Sequence, residues 1–164
     1  IFNFNYVLPR SDFDHRHSQQ KNGGVHMAQS FRMKPPMGED NGWWWQQAAE
    51  GHLAIQRCAS CGTLRHPPRP MCGDCHSLDW DHVASSGRGT LDSFTILHHP
   101  QFPGFDYPLI IILVQLEEGT RFTSQLVNCS PESVEFGMPV EMVMHEDPDG
   151  FRLPMFQPAQ GASA

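Results

Sequence analysis

The sequence has no apolar run long enough to cross a bilayer. Its longest, Leu109 to Val114, has the length of a strand. With no segment that reads as a secretory signal either, the expectation is a soluble chain without a membrane span. Base is also in short supply. Lys and Arg number 11 against 18 Asp and Glu, for a formal charge of −7, which makes nucleic acid a poor bulk partner. The marks of a self-sufficient enzyme are missing: there is no Gly-x-Ser-x-Gly, no Walker loop and no His-Glu-x-x-His. Long helices are disfavoured by 14 Gly and 14 Pro in 164 residues, which call for short elements and many turns. Only 5 cysteines occur, four in metal spacing and one, Cys129, left over. That usage suits a reducing, cytoplasmic compartment better than a secreted disulfide framework.

What is present is organised around Cys58-Ala59-Ser60-Cys61-Gly62 and Cys72-Gly73-Asp74-Cys75-His76, two Cys-x-x-Cys pairs separated by ten residues. This spacing can set four sulfurs at the corners of one tetrahedron, the geometry of a structural zinc site. Gly62 can take the positive φ that turns backbone N–H groups toward the sulfurs; His76, in the matching place, fits it less easily. Two disulfides, four buried thiols and a rubredoxin-like iron centre are the alternatives. A closed four-sulfur site offers no open position to substrate, so a metal held there staples the chain and does not act as a Lewis acid. Four ionised thiols remove four charges and a divalent ion returns two, so −7 becomes −9.

The 39% hydrophobic and 10% aromatic content is enough for a packed core, and the length fits a small metal module joined to a barrel. Residues 1–37 read as an extension or linker: Ile1 to Val7 alternates like a strand, and a polar, turn-rich stretch follows. The chain opens on Ile, which suggests a piece of a longer polypeptide or a processed start, with His26-Met27 as a candidate junction. Residues 38–52 hold a short helix capped by Asn41 and stopped at Gly51. Residues 53–82 form the ribbon, entered by a strand from His52 to Arg57. Residues 83–158 carry five strands, near Thr90–Ile96, Leu109–Leu116, Arg121–Val127, Val140–Met144 and Phe151–Leu153, and 159–164 are a tail. Mainly β, five short strands with glycines at their turns fit a closed OB-type barrel better than a sandwich.

Three stretches are candidate contact sites. Trp43, Trp44 and Trp45 are consecutive, and each helical step turns about 100°, so they cannot share one face. They either wrap onto ribbon and barrel or form a partner-facing surface. The arm between the metal turns holds Arg65 and Arg69 in a proline-stiffened segment, where they could meet ligand phosphates or stay solvated. The loop 98–108 is long and rich in Pro and aromatics, with Phe102, Phe105 and Tyr107; such a loop covers or contacts something. Its His98-His99 pair serves as acid and base or positions the loop, and Cys129 reads as a small hydrophobe.

Taken in order, the Trp helix, Glu50-Gly51-His52-Leu53, the two cysteine pairs, Pro67-Pro68-Arg69-Pro70, Ser86-Gly87-Arg88-Gly89-Thr90 and Leu153-Pro154-Met155-Phe156 resemble the OB-fold acyl-CoA-associated family with an N-terminal, rubredoxin-like zinc ribbon. The resemblance covers roughly residues 38–158. It implies a non-catalytic subunit or domain that pairs with thiolase-fold enzymes, including aldolases that cleave steroid side-chain CoA thioesters. In some members it is fused behind an enoyl-CoA hydratase. Implied with it are structural Zn2+ on Cys58, Cys61, Cys72 and Cys75, a CoA thioester as ligand of the complex, and two copies of each chain about a two-fold axis. The competing class is a single-stranded nucleic-acid-binding module, since zinc ribbons and OB barrels serve there too.

Overall fold

The computed structural model describes residues 32–160. The strand read at Ile1 to Val7 and the junction at His26-Met27 lie outside the described residues. Helix α1 (Gly42–Ala49) leads into an antiparallel sheet of β1 (Ala54–Cys58), β2 (Leu64–Arg65) and β3 (Trp80–Ala84), in the order β2-β1-β3. Then come β4 (Arg88–Leu97), β5 (Leu109–Leu116), β6 (Arg121–Leu126), β7 (Pro139–Glu146) and β8 (Arg152–Pro158). They close a barrel in the order β4-β5-β6-β8-β7, with β7 returning to β4. The protein is mainly β: one short helix, a ribbon and a five-stranded OB-type barrel.

The local chemistry explains most boundaries. Helix α1 stops in a Schellman motif. Gly51, at φ 91°, donates to Ala48 O at 3.0 Å, and His52 N reaches Gln47 O at 2.9 Å. Its start departs from the expected cap. The Asn41 side chain makes no bond to the helix; its Oδ1 instead accepts from Gly38 N at 2.7 Å, fixing the approach to the helix. Strand β1 begins at Ala54, later than the His52 read from alternation, because His52 N is spent on the helix terminus. Strand β8 runs on to Pro158, well past Leu153, with Pro154, Met155 and Phe156 buried.

The three tryptophans wrap onto three different elements. Trp43 lies against Trp80 and His82 of β3, with centroids 4.9 and 5.3 Å away. Trp44 is buried and donates from Nε1 to Ala54 O at 2.8 Å. Trp45 turns to Phe151 at 5.2 Å, at the start of β8. The helix therefore joins ribbon to barrel through one continuous core that includes Leu53, Ile55, Leu91, Ile112, Val114 and Phe156, each buried apolar side chain contributing about 1.5–3 kcal/mol.

A second tie is polar. Glu118 accepts from Ser85 Oγ at 2.9 Å and Ser86 N at 2.6 Å, while Arg88 pairs with Glu117 at 2.9 Å. The β5–β6 turn thereby holds the ribbon-to-barrel link. Beside it, Gly89 is forced: a Cβ there would stand 2.5 Å from Gln115 O and 2.6 Å from Val114 Cγ1. The motif Ser86-Gly87-Arg88-Gly89 is thus a place where β4 passes too close to β5 for any side chain.

Candidate functional site

The two cysteine turns are built alike. Gly62 N donates to Cys58 O at 2.9 Å and His76 N to Cys72 O at 3.1 Å, while Cys58 N and Cys72 N reach Thr63 O and Ser77 O, both at 2.9 Å. Gly62 sits at φ 78° and His76 at φ 59°. The histidine accepts the left-handed conformation that its position demands. The four sulfurs of Cys58, Cys61, Cys72 and Cys75 all lie within 4.8 Å of one another, with Cys58–Cys75 at 3.5 Å and Cys61–Cys72 at 3.6 Å. A zinc tetrahedron with bonds of about 2.3 Å has edges near ~3.8 Å, so the donor set fits that ion.

Its electrostatics fit as well. Backbone N–H groups of Cys61 and Ser60 point at the Cys58 sulfur, and the Cys61 N–H in particular holds that thiol down at about 6. Cys72 is lowered in the same way by the N–H groups of Cys75 and Asp74. Cys75 receives the Ser77 N–H, yet the crowding of Cys61 and Cys58 pushes it up to about 12. Four sulfurs this close cannot all ionise without a cation among them.

The arm after β2 carries the two arginines. Arg65 Nε donates to Gln56 Oε1 at 2.8 Å, and the same oxygen accepts from Arg69 N at 2.8 Å. Gln56, only 2% exposed, is therefore the clamp that fixes the arm. Arg65 Nη1 is buried without a partner among the described residues, and the Arg69 side chain is exposed.

A cavity of about 460 Å³ opens beside this arm. Strands β6 and β8 are paired only at Leu126 and Phe156. Toward their starts they separate, bridged by Ser124 Oγ donating to Pro154 O at 2.8 Å. The gap is walled by Trp44 and Trp45 from α1, by His66, Pro67 and Pro68 from the arm, and by Phe105, Phe122 and Phe151. His66 packs on Phe122 at 4.3 Å and on Trp44 at 5.3 Å. Burial holds its imidazole down at about 4, and its Nδ1 has no partner among the described residues. Residues 32–35 close the outer side. Arg32 lies over the Phe105 ring at 4.7 Å, donates to Gly104 O at 3.2 Å and pairs with Asp147 at 3.5 Å. Lys34 pairs with Asp149 at 2.7 Å.

Sequence reasoning singled out the cysteines, the arginines and the aromatics, and the structure brings only some of these together. Trp44, Trp45 and Phe105 share the cavity, whereas Trp43 faces the ribbon. Phe102 is 55% exposed on the loop, and its N–H donates to the Tyr107 hydroxyl at 2.9 Å. His98 and His99 are exposed, and Cys129 packs beside the core with a thiol raised by desolvation. Arg32, His66, Phe122 and Phe151 were not singled out. Only their shared burial in one groove reveals them, since they come from four distant stretches.

Comparison with known proteins places this geometry. The profile described as "ChsH2, rubredoxin-like zinc ribbon domain" matches residues 45–81, and "ChsH2, C-terminal OB-fold domain" matches 82–145. The chain is 44% identical over 130 residues to the probable enoyl-CoA hydratase alpha subunit of Thermomonospora curvata, covering 79% of this chain and 41% of that protein. It is 41% identical over 117 residues to the 3-oxo-4,17-pregnadiene-20-carboxyl-CoA hydratase alpha subunit of Mycobacterium tuberculosis, covering 71% and 37%. It thus spans about two fifths of the length of these two relatives. A DUF35 domain-containing scaffold protein of Methanocaldococcus jannaschii is 35% identical over 102 residues, covering 60% of this chain and 72% of that one. Among solved structures, the Ltp2-ChsH2(DUF35) aldolase superposes with a TM-score of 0.73 at 44% identity, covering 76% of this chain and 98% of the other. With both profiles in sequence and most of a scaffold protein's length matched, the chain belongs to the DUF35 family, as a zinc-ribbon and OB-fold unit of the ChsH2 type.

Proposed function

We propose that the chain is a non-catalytic accessory unit that pairs with a thiolase-fold enzyme, an aldolase or thiolase, and forms part of the channel for its acyl-CoA substrate. One zinc on Cys58, Cys61, Cys72 and Cys75 closes the ribbon as a structural ion. The partner supplies the catalytic side chains, and the assembly holds two copies of each chain about a two-fold axis. Arg65 and Arg69 meet CoA phosphates. Trp43, Trp45, Phe102, Phe105 and Tyr107 shape the partner-facing side, with Trp44 buried behind them in the core and not part of that surface, and an enoyl-CoA hydratase is fused or bound alongside. The substrate is a CoA thioester from steroid side-chain breakdown, in keeping with the names of the Mycobacterium tuberculosis relative and of the aldolase with which the chain superposes.

The observation that carries this reading is a largely apolar, aromatic-walled cavity of about 460 Å³ beside the arginine arm. Its titratable wall groups are Arg32, held by Asp147, and His66, kept neutral by burial. Ser124 spends its hydroxyl on Pro154 O. The nucleic-acid alternative is disfavoured by the pairing of the cations: Arg57, Arg88, Arg121 and Arg152 each lie within 4 Å of a carboxylate, leaving little free base to track a backbone.

The test is to assay this chain alone, a thiolase-fold partner alone and the two co-expressed, for retro-aldol or thiolytic cleavage of an acyl-CoA. Turnover should require the mixture, and the purified complex should have the mass of two copies of each chain. Robust turnover by this chain alone overturns the accessory role. A monodisperse monomer that ignores every thiolase-fold candidate overturns the pairing.

A further inference from the structure

Residues 32–35 cross the outer side of the cavity without belonging to any strand or helix. Among the described residues, no backbone hydrogen bond joins them to the barrel. The segment is anchored just beyond its end instead: Asn41 Nδ2 donates to Pro36 O at 3.2 Å, and Asn41 Oδ1 accepts from Gly38 N at 2.7 Å. Pro35 and Pro36 stiffen the stretch before that anchor. A movement there carries residues 32–35 as one piece.

Two side chains hold the segment down. Arg32 bridges the β4–β5 loop and the β7–β8 turn: its Nε donates to Gly104 O at 3.2 Å, its guanidinium lies 4.7 Å from the Phe105 centroid, and it pairs with Asp147 at 3.5 Å. That last distance is long for a hydrogen bond, and the same carboxylate oxygen stands 3.1 Å from His145 Nε2. Lys34 pairs with Asp149 at 2.7 Å and lies 5.5 Å from the Phe151 centroid, yet its side chain is 49% exposed. Met33, between them, is 90% exposed and buries almost nothing. One shared ion pair and one open to water make a weak fastening that salt loosens. A permanent wall is hydrogen-bonded into a sheet or packed by apolar side chains, and this segment is neither.

We propose that residues 32–35 are a strap that gates the cavity, latched by the Arg32–Asp147 and Lys34–Asp149 pairs and hinged at the Asn41 anchor, so that a molecule enters when the latch opens. In the closed position Arg32 and Lys34 lie over Phe105 and Phe151, two of the rings that wall the cavity. Opening exposes those rings to water, and the cost of wetting them returns the strap to its place. Such a gate acts on rates more than on affinity, because a strap that recloses over an occupant slows its exit as it slowed its entry. The inference goes beyond the acyl-CoA reading and does not depend on it, since any uncharged apolar molecule of fitting size meets the same strap.

The probe is N-phenyl-1-naphthylamine, an uncharged dye that fluoresces in apolar sites, mixed by stopped flow with the zinc-loaded full chain. In the double variant Arg32→Gln with Lys34→Gln, association and dissociation should both speed up by about threefold or more, with affinity nearly unchanged. Asp149→Asn leaves the strap itself untouched and should show the same change by a smaller factor. High salt should bring the parent chain's rates toward those of the double variant, whose own response reports what salt does to the dye. Ile111 lines the cavity and is half-buried, so Ile111→Trp should fill it and weaken dye binding by about tenfold or more, which locates the dye. Circular dichroism and zinc content certify the fold of each variant. Equal rates in the parent and the double variant overturn the proposal. So does affinity lost through faster dissociation alone, the signature of a fixed wall, and so does dye binding that folded Ile111→Trp leaves unchanged. No saturable binding to parent or double variant overturns it as well. A complex that turns over acyl-CoA while the dye's rates ignore the latch defeats the gate alone, whereas a latch that sets those rates in a chain joining no thiolase-fold enzyme defeats the pairing and upholds the gate.

Discussion

The indole Nε1 of Trp44 donates to the carbonyl oxygen of Ala54 at 2.8 Å, inside the core. That single bond fastens the middle of α1 to the first residue of the ribbon strand β1 while the ring also packs toward Phe122 of the barrel, 6.0 Å away. Trp44→Phe keeps most of the packing but strands a buried carbonyl, which should cost about 1–3 kcal/mol. Trp44→Ala adds a cavity and should cost about 3–5 kcal/mol. Urea unfolding midpoints check both. Equal, negligible losses would mean that α1 is not part of the core.

His66 predicts a pH dependence. Its imidazole is lowered from 6.5 to about 4 by burial, so between those values the unfolded chain binds a proton that the folded chain refuses. Stability therefore rises with pH across this window and is lost as pH falls from about 6.5 to 4. The full shift corresponds to about 3 kcal/mol. His66→Phe should flatten this limb, read as the difference from the parent chain at each pH with zinc content monitored. An identical slope in both proteins would mean that the imidazole is solvated.

The cysteine pairs and the barrel were legible for a physical reason. Metal ligands need fixed spacing, and half-buried strands need alternation, so both leave marks in linear sequence. Strand β3 leaves none, because Trp80, Asp81, His82 and Ala84 are all exposed and only Val83 is half-buried. It is held by its register on β1, from Ala54 opposite Ala84 to Cys58 opposite Trp80. Strand β8 was masked by Pro154, which reads as loop but sits where β6 and β8 part, and by Pro158, its last residue, opposite Val140 of β7. The cavity was invisible because Arg32, His66, Phe122 and Phe151 become neighbours only when the barrel closes.

The zinc proposal predicts that Cys61→Ser loses the ion outright. Three sulfurs cannot complete the tetrahedron, and binding energy at such a site is folding energy for the ribbon. Elemental analysis should give one zinc per chain before the change and almost none after it. Amide exchange should show β1 to β3 opened while β4 to β8 stay protected. Iron in place of zinc, or less than about half an equivalent in the parent chain, would sink the assignment.

Gln56 offers the sharpest test of the arm. Its Oε1 takes both Arg65 Nε and Arg69 N at 2.8 Å, a neutral clamp that leaves the guanidinium charge uncompensated: among the described residues no carboxylate lies within 4 Å of Arg65. If that charge meets a CoA phosphate, each arginine contributes on the order of 1.5–3 kcal/mol. Arg65→Ala with Arg69→Ala should then weaken CoA-ester binding by the complex at least about tenfold. Gln56→Leu keeps both charges but frees the arm. It should raise KM with kcat nearly unchanged, the mark of a contact made equally in ground and transition states. Gln56→Glu would neutralise Arg65 in place and should weaken binding with the arm still ordered. Unchanged affinity in the double arginine variant, with the complex intact, would leave Arg69 a solvated cation and the Arg65–Gln56 contact a purely structural clamp.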